Sequence, residues 1–111
     1  MSRYAGALDA VDRILNRGGD ADEVLRAVVD ALHTRGIAYV ALRFVEGDRL
    51  VEGPSAGEPA PALSVPIVYK GDRVGELEVA TDDEEFAKRV ATLISAHVLV
   101  GWDTGGQAWN P

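Results

Sequence analysis

The chain has 111 residues, enough for one domain, and 47% are hydrophobic, so a modest core is within reach. Its 18 Asp and Glu outnumber 11 Lys and Arg, a net charge of -7, which argues against non-specific nucleic-acid binding and against an anionic membrane surface. It has no cysteine, which excludes disulfides, thiolate metal sites and cysteine chemistry.

No apolar run approaches the ~18 residues of a membrane span. The first ten residues, MSRYAGALDA, lack the apolar centre of a signal peptide. The expected location is the cytoplasm.

Tyr4, Ala7, Leu8, Val11, Ile14 and Leu15 recur at helical spacing, with Asp9, Asp12, Arg13 and Asn16 on the other side. Gly18-Gly19 ends this first helix. Asp20 opens a second, and Asp20 with Glu23 has the spacing of a capping box. The stripe of the second helix is Val24, Leu25, Val28, Val29 and Leu32, and Gly36 stops it. Asp20, Asp22 and Glu23 together are ordinary first-turn acids, placed where the helix dipole favours them, rather than a cation site.

Residues 37–45, IAYVALRFV, read as the first strand. Ala38, Val40, Leu42 and Phe44 share one face; Ile37, Tyr39, Ala41, Arg43 and Val45 share the other. A turn at Glu46-Gly47-Asp48 leads into a short strand over 49–52. Residues 53–63, GPSAGEPAPAL, carry too much proline and glycine for regular structure and read as a crossover loop over one edge of the sheet.

Residues 63–80, LSVPIVYKGDRVGELEVA, read as a hairpin. Val65, Ile67 and Tyr69 share a face with Gly75, Leu77 and Val79. Setting Ile67 opposite Leu77 needs an odd-numbered loop, so a bulged Gly71-Asp72-Arg73 turn is expected. Glu76 and Glu78 then point to the opposite face, near Tyr39 and Arg43 if the second arm pairs with the first strand. A cross-strand pair between Arg43 and one of these glutamates is expected.

Thr81 with Glu84 has capping-box spacing at the start of the last helix. Its stripe is Phe86, Val90, Leu93, Ile94, His97 and Val98, with Ala87 and Ala91 at the margin; Lys88, Arg89, Thr92 and Ser95 face water. Leu99 falls on the polar side with Trp102 near it, and the tail WDTGGQAWNP adds Trp109. Leu99, Trp102 and Trp109 are candidate interface residues.

Asp103-Thr104-Gly105 spells an aspartic-protease motif, but it follows a helix and only six residues remain, so a turn is the better reading. His97, alone on an apolar face, reads as a hydrogen-bonded core residue. His33 falls on the polar side of its helix. No third ligand joins either histidine, and no nucleophile–base arrangement, phosphate loop or metalloprotease motif is present. No metal or cofactor is expected, and no enzymatic activity.

Four segments then fall into a recognisable order: ADEVLRAVVDAL (21–32), IAYVALRFVEGDRLV (37–51), VPIVYKGDRVGELEVA (65–80) and FAKRVATLISAHV (86–98). Together they resemble a small GAF domain, over nearly the whole chain and by pattern rather than by any single motif. The resemblance implies an α+β fold, a central antiparallel sheet of four or five strands with the N-terminal and C-terminal helices on one face. It implies one domain over residues 1–101 and a tail over 102–111. Members commonly bind a small molecule on the other face and dimerise through their terminal helices. In ligand-binding members the connection between the second and third strands supplies lid helices, here replaced by the 53–63 loop. The cysteine that attaches bilins and those of GAF-type free methionine sulfoxide reductases have no counterpart. The resemblance thus implies a non-catalytic sensory or regulatory module. It would be a homodimer that binds a small polar ligand at Tyr39, Arg43, Glu76 and Glu78 and passes its signal to a separate protein or through its oligomeric state. The alternative is a pure interaction domain without a ligand.

Overall fold

The computed structural model describes residues 5–100, with side chains over 6–98. The chain runs α1 (Ala5–Arg17), α2 (Ala21–Thr34), β1 (Tyr39–Glu46), β2 (Arg49–Gly57), β3 (Leu63–Tyr69), β4 (Asp72–Val79) and α3 (Glu84–Val100). The four strands form one antiparallel sheet in the order β2-β1-β4-β3. All three helices lie on one face: α2 covers β1 and β2, α3 covers β3 and β4, and α1 packs on α2 and α3.

The helical stripes account for this layering. Val24, Leu25, Val28, Val29 and Leu32 of α2 are all buried, as are Phe86, Val90, Ile94 and Val98 of α3. They meet Val40, Leu42, Phe44, Val65, Ile67, Leu77 and Val79, the alternate residues of three strands. Several placements differ from the sequence expectation, among them Ala38, which precedes β1 and is exposed. Ile37 precedes β1 and enters the helix-side core, because the strand begins only at Tyr39. On α3, Leu93 and His97 are only half-buried while Ser95 is buried, its hydroxyl donating to the Thr92 carbonyl at 3.0 Å. The Nδ1 of His97 is buried with no hydrogen-bond partner, so it is not the satisfied core histidine expected.

The helix starts also differ from simple capping boxes. Asp20 has extended N-cap geometry but makes no side-chain capping bond. At α3 the cap is Asp83, not Thr81. The Phe86 amide donates to Asp83 Oδ1 at 3.0 Å, while Thr81 Oγ1 accepts from the Asp83 amide at 3.1 Å. Thr81 therefore shapes the approach and Asp83 satisfies the helix. Asp83→Ala is expected to cost about 1 kcal/mol in urea denaturation, and Asp20→Ala less than about half of that.

Both hairpins turn in two residues. Gly47 at φ 67 leads the β1–β2 turn, and Lys70-Gly71 at φ 52 and 87 makes the β3–β4 turn. Positive φ at these positions matches the twist of the flanking strands. The expected three-residue Gly71-Asp72-Arg73 loop is therefore absent. The bulge lies instead in β4, where the register slips so that Val74 is extra: Ile67 pairs with Gly75 and Val68 with Arg73. Leu77 opposes Val65 rather than Ile67. The faces are as expected even though the pairing moved by two residues, because a shift of two preserves the side of the sheet.

β2 is longer than its sequence suggests. It continues through Gly53 and Pro54 to Gly57, with Gly53 and Pro54 together opposite Leu42. This is a bulge on an edge strand, where a residue without an amide proton is tolerated. The crossover shrinks to residues 58–62. It carries the chain from one edge of the sheet to the other, past the end where β1 starts and β4 finishes. Three strand spacings are about 14 Å, and six residue steps reach about 20 Å, so the connection is short and has no slack for a lid.

Candidate functional site

Among the described residues nothing covers the sheet face away from the helices. The strand registers place Tyr39, Ala41, Arg43 and Val45 of β1 on it, beside Leu50, Glu52 and Ser55 of β2. Across β1 lie Glu76 and Glu78 of β4, then Ser64, Pro66 and Val68 of β3. The four residues expected as a polar site do share this face. Tyr39, Arg43, Glu76 and Glu78 are all half-buried, and Ala41 sits among them, almost wholly buried.

Arg43 is the centre of this group. Its Nη1 lies 3.0 Å from Glu78 Oε1 and its Nε 3.6 Å from Glu52 Oε2. The expected cross-strand pair is therefore present, formed with Glu78 on the diagonal. Glu76, directly opposite Arg43 in the register, turns away. Its Oε2 accepts from Ser64 Oγ at 2.7 Å and lies 3.5 Å from Arg73 Nη2. The hydrogen bond to Glu78 raises the Arg43 pKa above its ordinary value; burial opposes this, and the charges of Glu78 and Glu52 add to it. Arg43 is thus held as a cation whose charge is already met within the chain. The Arg43 and Glu78 side chains are about a quarter exposed, at 25% and 28%. A double-mutant cycle of Arg43→Met and Glu78→Gln is expected to show about 1 kcal/mol of coupling, diminished in high salt.

A second feature was not singled out from the sequence. At the turn end of the same face, Val45, Gly47, Asp48, Arg49, Leu50 and Arg73 line an open hollow of about 460 Å³. Val45 pairs directly with Leu50. Val45, Leu50 and Val68 are the large apolar side chains left exposed among the described residues, at 36%, 38% and 47%. All three belong to this face. The hollow lies at the opposite end of the sheet from the 58–62 connection, which meets the sheet at Tyr39 and Val79. Reading Gly47-Asp48 as a two-residue turn would have found it. That turn alone sets Val45 opposite Leu50 and Arg43 opposite Glu52.

Among the described residues no group of three or more His, Asp and Glu could hold a metal ion. No described helix is long and apolar enough to cross a membrane. His33 is a structural residue, its Nδ1 2.8 Å from the Ile37 carbonyl. The interface residues expected from the sequence fall elsewhere: Leu99 is in the last turn of α3 with its side chain outside the described residues, as are Trp102 and Trp109.

No protein-family model and no curated protein sequence matches this chain. A solved structure does. The GAF domain from an Acinetobacter phosphoenolpyruvate-protein phosphotransferase superposes with a TM-score of 0.65, over 88% of this chain and 94% of that chain, at 14% identity. The fold is GAF-like. The fold expected from the sequence pattern is therefore the one adopted, with four strands in the sheet. Residues 58–62 are the whole connection between β2 and β3, so the polar group around Arg43 has no lid from that segment.

Proposed function

We infer that this GAF-like domain is a regulatory module that acts by protein contact across its open sheet face rather than by enclosing a small molecule. The observation that carries the inference is the state of Arg43. Its charge is met by Glu78 at 3.0 Å and Glu52 at 3.6 Å, so it is not waiting for an anionic ligand. The five-residue connection over 58–62 supports the same reading, since a small ligand is usually buried over most of its surface. The exposed Val45, Leu50 and Val68 on that face give a partner apolar area to cover. The domain acts without catalysing a reaction. Self-association through Leu99 and Trp102 is part of the proposal, giving a homodimer whose regulatory face stays free.

A thermal-shift screen with nucleotides, amino acids and small acids, run beside a molecular mass measurement in solution, tests this. The expected result is no rise in melting temperature with any compound, together with the mass of a dimer. A specific ligand would raise the melting temperature by linkage. If that rise disappeared in Tyr39→Phe or Arg43→Met, the site would be a ligand pocket of Tyr39, Arg43, Glu76 and Glu78 and the contact reading would fail. A dimer that survives charged replacements of both Leu99 and Trp102 would place the self-contact on another surface.

A further inference from the structure

We propose, resting on that contact reading, that the partner segment met by the open face is a cationic amphipathic helix seated at the turn end. In this arrangement an apolar side chain of the partner covers Val45 and Leu50. A lysine or arginine one helical turn to either side of it meets Asp48 and Glu52.

The charges at this corner favour a basic partner. Among the described residues, each arginine near the Val45–Leu50 pair is matched within the chain: Arg49 by Glu46 at 3.8 Å, Arg73 by the half-buried Glu76 at 3.5 Å, and Arg43 by Glu78 at 3.0 Å. Asp48 and Glu52 are left in excess. Asp48 lines the hollow with Val45 and Leu50 and has no such partner among the described residues. Glu52 shares the already engaged Arg43 at 3.6 Å, and its side chain is 82% exposed against 25% for the arginine. The unmatched charge here is negative, in a chain of net charge -7 whose field steers cations toward it.

The spacing of these groups suits a helix. Leu50 is two residues from Asp48 and two from Glu52. Two strand residues rise about 6.6 Å, close to the ~5.4 Å of one helical turn. A helix lying along β2 with an apolar residue over Leu50 therefore brings basic residues one turn away onto both carboxylates. The hollow of about 460 Å³ admits the apolar side chain between them.

The sheet edges exclude the other common form of contact. β2 carries Pro54 and β3 carries Pro66, so a strand adding to either edge meets a residue without an amide proton. A helix satisfies its own backbone hydrogen bonds and needs only a surface.

Two labelled synthetic helices of about four turns test this by fluorescence anisotropy against the full chain. One is built of leucine and lysine, the other of leucine and glutamate with the same leucine spacing. The leucine–lysine helix is expected to bind and the leucine–glutamate helix is not. Glu52→Lys and Leu50→Gln, both at exposed positions, are each expected to weaken binding about tenfold. Asp30→Lys, an equal change of charge at an exposed position on α2, is expected to weaken it less than about twofold. Failure of the leucine–lysine helix to bind overturns the proposal. So does equal weakening by Glu52→Lys and Asp30→Lys, which would mean attraction to net charge alone. Binding of the leucine–glutamate helix that is lost in Leu50→Gln overturns the cationic partner and leaves the contact reading standing. A small compound that raises the melting temperature of the native chain but not of Arg43→Met overturns the contact reading itself. If Glu52→Lys fails to fold by circular dichroism, Asp48→Lys in the turn takes its place.

Discussion

Gly75→Ala is expected to destabilise the domain by about 3 kcal/mol, read as a lower urea midpoint. Gly75 lies in β4, an inner strand, opposite Phe44 on one side and Ile67 on the other. A β-carbon there would sit 2.4 Å from the Arg43 carbonyl oxygen and 2.9 Å from Val98 Cγ1. The valine methyl can yield by a rotamer change, but the Arg43 carbonyl belongs to the neighbouring strand and cannot. Relief requires β1 and β4 to part, beside the arginine that holds the polar group on the open face. Gly71→Ala is the control. Gly71 has φ 87 but open space around it, so only backbone strain of about 1 kcal/mol is expected there. Equal losses at both positions would mean that the close approach of β1 to β4 does not set the cost.

Leu77→Ala is expected to cost about 3–4 kcal/mol, with little change in the denaturant slope. Leu77 is buried to 1% exposure in the same inner strand, flanked by Leu42 on one side and Val65 on the other. The sheet backbone cannot close around the lost methyls, since both neighbours are held by ladder bonds. Truncating Leu50, on the far face at 38% exposure, is expected to cost no more than about 1 kcal/mol. Similar losses at Leu50 and Leu77 would contradict a core confined to the helix side.

The sequence pattern carried the fold a long way because its signals were local and repeated. The α2 stripe, the alternation in β1 and β4, and the apolar face of α3 each recur over several turns or residues, and each names its own buried side. That was enough to order seven elements and to put Tyr39, Arg43, Glu76 and Glu78 on one face. Single-residue signals did less well. Thr81 and Asp83 both precede α3, and spacing alone does not say which carboxylate or hydroxyl reaches the free amides. Pro54 marked a break in isolation, yet the free edge of a sheet absorbs it in a bulge.

What the sequence by itself determined, then, is which side of each element is buried, since period and polarity encode that in neighbouring residues. Register and partner choice were decided only by the tertiary structure. The two-residue turns fixed Val45 opposite Leu50 and Arg43 opposite Glu52, and the Val74 bulge kept the hairpin faces aligned despite an even-numbered loop. Those decisions sent Arg43 to Glu78 and Glu52, turned Glu76 toward Ser64 and Arg73, and gathered the hollow at the turn end. Each depends on contacts between residues distant in the chain, and a one-residue change in a turn would have rearranged them all without altering any local pattern.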